Sequence, residues 1–170
     1  MNIPISFCYE LISVVFIFIL LALCFPVNKG YAAQKPALVT IDDFKEGLDE
    51  NGIPVGWSLY GGAGQDQHIR LVEMEGSGSA VMIEDNDSGS ETGLMQTIPV
   101  KPGETYEVSV EVQAIEGASS YGAYLQLRFL PSDRYVQTSM AAASTSQFEK
   151  VSVKGVAPPD TEKATIYLYT

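Results

Sequence analysis

Through residues 121–130 apolar and polar positions alternate. Ala123, Leu125, Leu127 and Phe129 share one parity, and Tyr124, Gln126 and Arg128 share the other. Successive side chains of a strand point to opposite faces, so the stretch predicts a strand with one apolar face. Its other face carries a ring, an amide and a guanidinium. The same period of two recurs along the chain. Residues 105–114 set Tyr106, Val108, Val110 and Val112 against Glu107, Ser109, Glu111 and Gln113. Residues 41–44, 69–74, 80–83, 94–100, 135–140 and 148–153 are further short runs. At the end Ala164, Ile166 and Leu168 alternate with Thr165, Tyr167 and Tyr169. Clusters of Gly, Pro, Asn, Asp and Ser separate the runs, and no segment sustains a helical period. About nine short strands with turn signals roughly every ten residues predict an all-β chain. The expected architecture is a two-sheet antiparallel β-sandwich built around the strand at 121–130. The alternation is still running at Thr170.

Composition adds an address. Residues 11–25 are almost all apolar, the length of a signal-peptide core and short of the roughly 20 residues of a membrane span. Gly30 and Ala32 supply small residues for cleavage after Ala32, so residues 1–32 read as a hydrophobic signal peptide and 33–170 as the mature module. Glu10 and the lack of Lys or Arg ahead of the core leave an uncleaved anchor as the alternative. Cys24 suggests a lipoprotein, but Leu23 stands where a small residue is expected. Both cysteines, Cys8 and Cys24, lie in this leader, so the mature chain has no disulfide or thiol chemistry. A chain of this size can bury a core without them. The formal net charge of −11 argues against nucleic acid and anionic membranes as partners and suits neutral ligands. The expected location is secreted or at the surface of a bacterial cell.

The candidate chemistry starts from Tyr124, Gln126 and Arg128. A ring packs on the C–H faces of a sugar, while an amide and a guanidinium supply hydrogen bonds. The alternative is a solvated sheet face with Arg128 paired to Glu107 or Glu111 on a neighbouring strand. Gln96, Glu107, Ser109 and Glu111 are expected on the same face, with Gln113 beside them. Trp57 serves either the core or the ligand. Tyr60 is a rim candidate, and Tyr121 and Tyr135 flank the ends of the groove. Tyr167 and Tyr169 either contact ligand or sit on a bare sheet edge. His68 is the only histidine, so neither a histidine metal cluster nor a Ser-His-Asp triad with a spare base can be assembled. Two carboxylates would suffice for glycoside hydrolysis, but Glu107 and Glu111 stand about 13–14 Å apart along a strand, beyond either catalytic spacing. The acidic stretch at Glu84, Asp85 and Asp87 lacks the EF-hand pattern and reads as a solvated loop. No catalytic residue is assigned.

Several stretches, taken in order, resemble a known group. They are Asp43-Phe44-Lys45-Glu46-Gly47, Gly56-Trp57-Ser58-Leu59-Tyr60-Gly61-Gly62, and Gln96 with Ile98 and Val100. Then follow Pro102-Gly103-Glu104-Thr105-Tyr106-Glu107-Val108-Ser109, the strand at 121–130, and Ala157-Pro158-Pro159 before the final alternating run. The set resembles the CenC-like carbohydrate-binding modules of families four, nine and twenty-two and covers nearly all of residues 33–170. The resemblance implies a galactose-binding-like jelly roll that binds polysaccharide of β-glucan or xylan type without catalysis. It implies attachment to a glycoside hydrolase or another domain of a longer parent. It also implies a structural calcium, with Asp43 and Glu46 at the matching first-strand positions. The family's further strand with its acidic pair has no counterpart before Thr170, so the resemblance implies a sandwich that lacks its last strand. Two other functions stay open: a catalytic jelly roll acting on glycosidic bonds, and a structural or adhesive surface domain.

Overall fold

A computed structural model describes residues 37–40, 44, 46–61, 69–74, 78–84, 89–115, 123–140 and 143–170. The chain divides into two units, Met1–Gln34 and Lys35–Thr170. The first unit, with the expected signal peptide, lies outside the described residues. Within the described residues there is no helix. Ten strands are present: β1 (Ala37–Thr40), β2 (Ser58–Gly61), β3 (Ile69–Met74), β4 (Gly78–Ile83), β5 (Thr92–Pro99), β6 (Thr105–Val112), β7 (Tyr124–Leu130), β8 (Arg134–Ser139), β9 (Glu149–Val156) and β10 (Lys163–Tyr169). They form a five-stranded sheet in the order β2-β5-β10-β7-β8, a three-stranded sheet β1-β6-β9 and the hairpin β3-β4.

Three expectations change. The pairing of β1 with β6 is parallel, so the architecture is not wholly antiparallel. The first described strand is Ala37–Thr40; residues 41–43 of the expected run lie outside the described residues, and Phe44 at its end takes a positive φ of 53° that a strand does not allow. The centre of the large sheet is β10, paired with β5 on one side and β7 on the other. Tyr167 and Tyr169 therefore do not lie on a bare edge.

The period of two explains which side each strand buries. Leu94, Ile98, Leu125, Leu127, Phe129, Ala164, Ile166 and Leu168 share one face of the five-stranded sheet through the registers of β5, β10 and β7. Tyr106, Val108 and Val153 of the three-stranded sheet belong to the same core cluster. The two sheets approach closely at Gly155 of β9, where a Cβ would lie 2.9 Å from Phe129 Cε2 and 3.2 Å from Val136 Cγ2. Apolar area removed from water between the sheets is the main stabilising term.

The turn before β6 joins two of the stretches that carry the resemblance. Gly103 holds a φ of 77°, as the turn after Pro102 requires. Tyr106 is buried, and its hydroxyl accepts from the Lys101 amide at 2.8 Å and donates to Glu104 Oε2 at 3.0 Å. The Gly103 amide donates to the Ala157 carbonyl at 2.8 Å, and the Ala157 amide donates to the Glu104 carbonyl at 2.9 Å. The Pro102–Tyr106 and Ala157–Pro159 stretches thus clasp one end of the β6–β9 ladder. Their work here is structural.

Candidate functional site: a tyrosine-lined sheet face

Directly paired residues of neighbouring strands share a face, so the registers lay out the outer side of the five-stranded sheet in rows. One row runs Tyr60, Gly93, Tyr169, Tyr124, Ser139 across all five strands. The next runs Ser58, Met95, Tyr167, Gln126, Gln137, and a third runs Thr97, Thr165, Arg128, Tyr135. With neighbouring strands about 4.8 Å apart, a five-strand row is about 19 Å long. The tyrosines form a connected set. Tyr60 meets Tyr167 edge-on with centroids 4.9 Å apart and Tyr169 at 5.4 Å, and Tyr169 meets Tyr124 at 5.5 Å. Tyr169 is only 8% exposed although it lies on the outer face, because these neighbours cover it.

Arg128 sits in the middle of this set. Its Cζ lies 5.5 Å from the Tyr167 ring centroid and 5.6 Å from that of Tyr135, a cation–π distance to each. Its Nε donates to Gln126 Oε1 at 3.2 Å, and Nη1 pairs with Asp133 Oδ1 at 3.5 Å. Gln126 Nε2 in turn donates to Gln137 Oε1 at 2.9 Å and to the Tyr169 hydroxyl at 3.4 Å. Gln126 is buried and both ends of its amide are engaged. Its amide links Arg128, Gln137 and Tyr169. Arg128 pairs with Asp133 on the β7–β8 turn, not with Glu107 or Glu111.

At the β2 edge the Tyr60 hydroxyl donates to Glu91 Oε2 at 2.5 Å. That hydrogen bond, with desolvation and the carboxylate's charge behind it, pushes the Tyr60 hydroxyl from 10.0 up to about 12. Desolvation first, then the charge of Glu91, also raises Tyr169. A phenol whose folded value is raised contributes stability that is intact below its ordinary pKa of 10.0 and is lost as pH rises toward about 12. An alkaline titration followed by tyrosinate absorbance is expected to show Tyr60 ionising late. In Glu91→Gln that late fraction should move toward the ordinary value. A single transition near the ordinary phenol value in both proteins would count against the contact.

Other expected site residues lie elsewhere. Glu107, Ser109 and Glu111 are on β6 in the three-stranded sheet, opposite Lys154, Ser152 and Lys150 of β9, and so face away from the tyrosines. Gln113 donates to the Thr145 carbonyl at 2.9 Å, also outside the tyrosine face. Gln96 pairs with Ile166 on the core parity of its strand, and its Nε2 donates to the Gly56 carbonyl at 3.3 Å. Trp57 is 6% exposed, in the core beside Phe44 with centroids 6.1 Å apart. It serves packing. Tyr121 lies outside the described residues. Sequence reasoning missed Glu91, Met95, Thr97, Thr165 and Gln137. The parity of Thr165 with Tyr167, and of Gln137 with Tyr135, carried the signal for two of them.

For calcium, Glu46 is exposed and Asp43 lies outside the described residues. Among the described residues no three His, Cys, Asp or Glu side chains converge as a metal site would need. An ion at this position would have to draw most of its roughly six to eight oxygen ligands from backbone carbonyls or from residues not described.

No family model matches the chain, and no curated protein matches it. Among solved structures, the enzymatically active domain of tailspike protein 4 of bacteriophage CBA120 is similar, at a TM-score of 0.48 and 16% identity. The match covers 73% of this chain and 18% of that one. At that level of likeness nothing about this chain's chemistry follows.

Proposed function

We propose that the tyrosine face binds polysaccharide of β-glucan or xylan type without cleaving it, as an exported jelly-roll module of a larger glycan-active protein. The observation that supports this reading is the connected row of Tyr60, Tyr169 and Tyr124 with Tyr167 and Arg128 beside it. Rings on one face offer packing for the C–H faces of successive sugars, and the hydroxyls and guanidinium offer hydrogen bonds at their edges. Residues 1–32 act as the export signal in this reading. A calcium at Asp43 and Glu46 would have a structural role in this reading.

Affinity electrophoresis against a panel of β-glucans and xylans tests the reading. Wild type is expected to be retarded by at least one polymer and to release no reducing ends from it. Tyr124→Ala is expected to weaken that retention about tenfold or more, as loss of an aromatic anchor does. Because Tyr124 packs against Tyr169, its removal should also cost about 0.5–1.5 kcal/mol of stability. Release of reducing ends would favour an enzyme. Full retention by Tyr124→Ala would remove the face from consideration.

A further inference from the structure

The middle of the tyrosine face carries open hydrogen-bond donors. Gln126 Oε1 already accepts from Arg128, and Gln137 Oε1 accepts from Gln126. The two carboxylates tied to the face are engaged as well: Glu91 accepts from Tyr60, and Asp133 pairs with Arg128. On the donor side, Arg128 Nη2 and the amide nitrogen of Gln137 have no partner among the described residues. The Nη2 end of the guanidinium is therefore open to an acceptor oxygen that a ligand supplies.

That guanidinium is also held in place. Two rings flank it, Gln126 fixes its Nε, and the side chain is 34% exposed. The planar fork of Arg matches the two oxygens of a carboxylate. A partly shielded charge pair is screened less than one on open surface. Asp133, on the adjacent turn and 69% exposed, pairs with Nη1 alone, and its 3.5 Å contact is longer than the roughly 2.7–2.9 Å of a tight charge-assisted hydrogen bond. An external carboxylate can meet Nη2 beside it or replace it. The chain's net charge of −11 repels anions at long range, so any preference for an acidic ligand must come from this contact.

We infer that Arg128 recognises the carboxylate of a uronic acid unit, so that the polysaccharide bound on this face is an acidic one. The inference rests on the polysaccharide-binding reading above. Arg128 is then a specificity-determining residue, and Asp133 is an internal competitor that weakens adventitious anion binding.

The test uses glucuronoxylan and the same polymer after chemical reduction of its uronic acids to neutral sugars, in affinity electrophoresis with the full chain. Wild type is expected to bind the acidic polymer about tenfold more tightly than the reduced one, a difference near 1.4 kcal/mol. Arg128→Gln should bring the ratio of the two affinities close to one. Asp133→Asn should raise the ratio. Asn tolerates the left-handed φ of 59° at this position, so that variant keeps its turn and remains informative if Arg128→Gln melts early. A wild-type ratio of one, or a ratio that neither variant moves, overturns the carboxylate inference. Tyr124→Ala separates the two levels: it should weaken both polymers together. If it does so while the wild-type ratio is one, only the carboxylate inference fails. If wild type binds neither polymer while a β-glucan of the panel retards it, only the carboxylate inference fails; if it binds neither polymer and no β-glucan, or if Tyr124→Ala binds both polymers undiminished, the face itself is not the site and both readings fail.

Discussion

Leu127→Ala is expected to lower the stability of the described domain by about 2–5 kcal/mol, the range for truncating a buried leucine. Leu127 is fully buried on β7, level with Ile166 of β10 on one side and Val136 of β8 on the other. The cavity would open in the core cluster that both sheets share. The neighbouring β-strands are pinned by their hydrogen-bonded registers, so the site has little freedom to collapse. Part of the cost therefore comes from the void and not only from lost burial. Thermal and urea unfolding measure it. Because the side chain points away from the tyrosine face, the folded fraction should keep the polymer preference of the wild type. A melt indistinguishable from wild type would show that the alternation in β7 does not set inside from outside.

That alternation was legible in the sequence because a strand obeys it locally. Tyr124, Gln126 and Arg128 lie together on the outer face, and Leu125, Leu127 and Phe129 lie inside, as their spacing predicts. Parity says which residues of one strand go together. It does not say which strands share a sheet. Glu107, Ser109 and Glu111 follow the same alternation as the β7 residues, yet their strand pairs with β9 and β1 and turns them to the other side of the domain. Gln96 is a different case. It stands between Leu94 and Ile98 on the parity that enters the core, and its amide is accommodated there by the Gly56 carbonyl. The local pattern already placed it inside. The chemistry of an amide made the outer face look more natural. β2 was missed because four residues ending in glycine are too few to show a period. The roles of Gln126 and Tyr169 depend on contacts across three strands, which no single stretch of sequence records.

The second large effect is expected at Gly93, where a single methyl group should disturb both the fold and the site. Gly93 lies directly opposite Tyr169 between β5 and β10. A Cβ there would collide with the Leu168 carbonyl oxygen and lie 2.7 Å from both Cα and Cβ of Tyr169. These are backbone and near-backbone atoms, so no flexible side chain can swing aside to make room. Gly93→Ala must push β5 away from β10, at the centre of the sheet, and overpacking of this kind costs about 1–3 kcal/mol. The hydrogen bonds exchanged between Thr92 and Thr170, at 2.9 and 3.4 Å, sit one residue away and would lengthen with that shift. Gly93 is also the gap in the row between Tyr60 and Tyr169. Without a side chain at this point the two rings can meet at 5.4 Å. Widening the spacing parts Tyr60 from Tyr169 and breaks the row that the polymer is proposed to follow. Gly93→Ala should therefore lower the thermal midpoint and weaken polymer retention even at temperatures where the protein is fully folded. Gly155→Ala is the matching control. Its Cβ meets side-chain atoms of Phe129 and Val136 in the core, 2.9 and 3.2 Å away, and touches nothing on the tyrosine face. It should lower the midpoint and leave retention of the folded protein unchanged. If Gly93→Ala behaved as that control does, the continuity of the tyrosine row would not matter for binding.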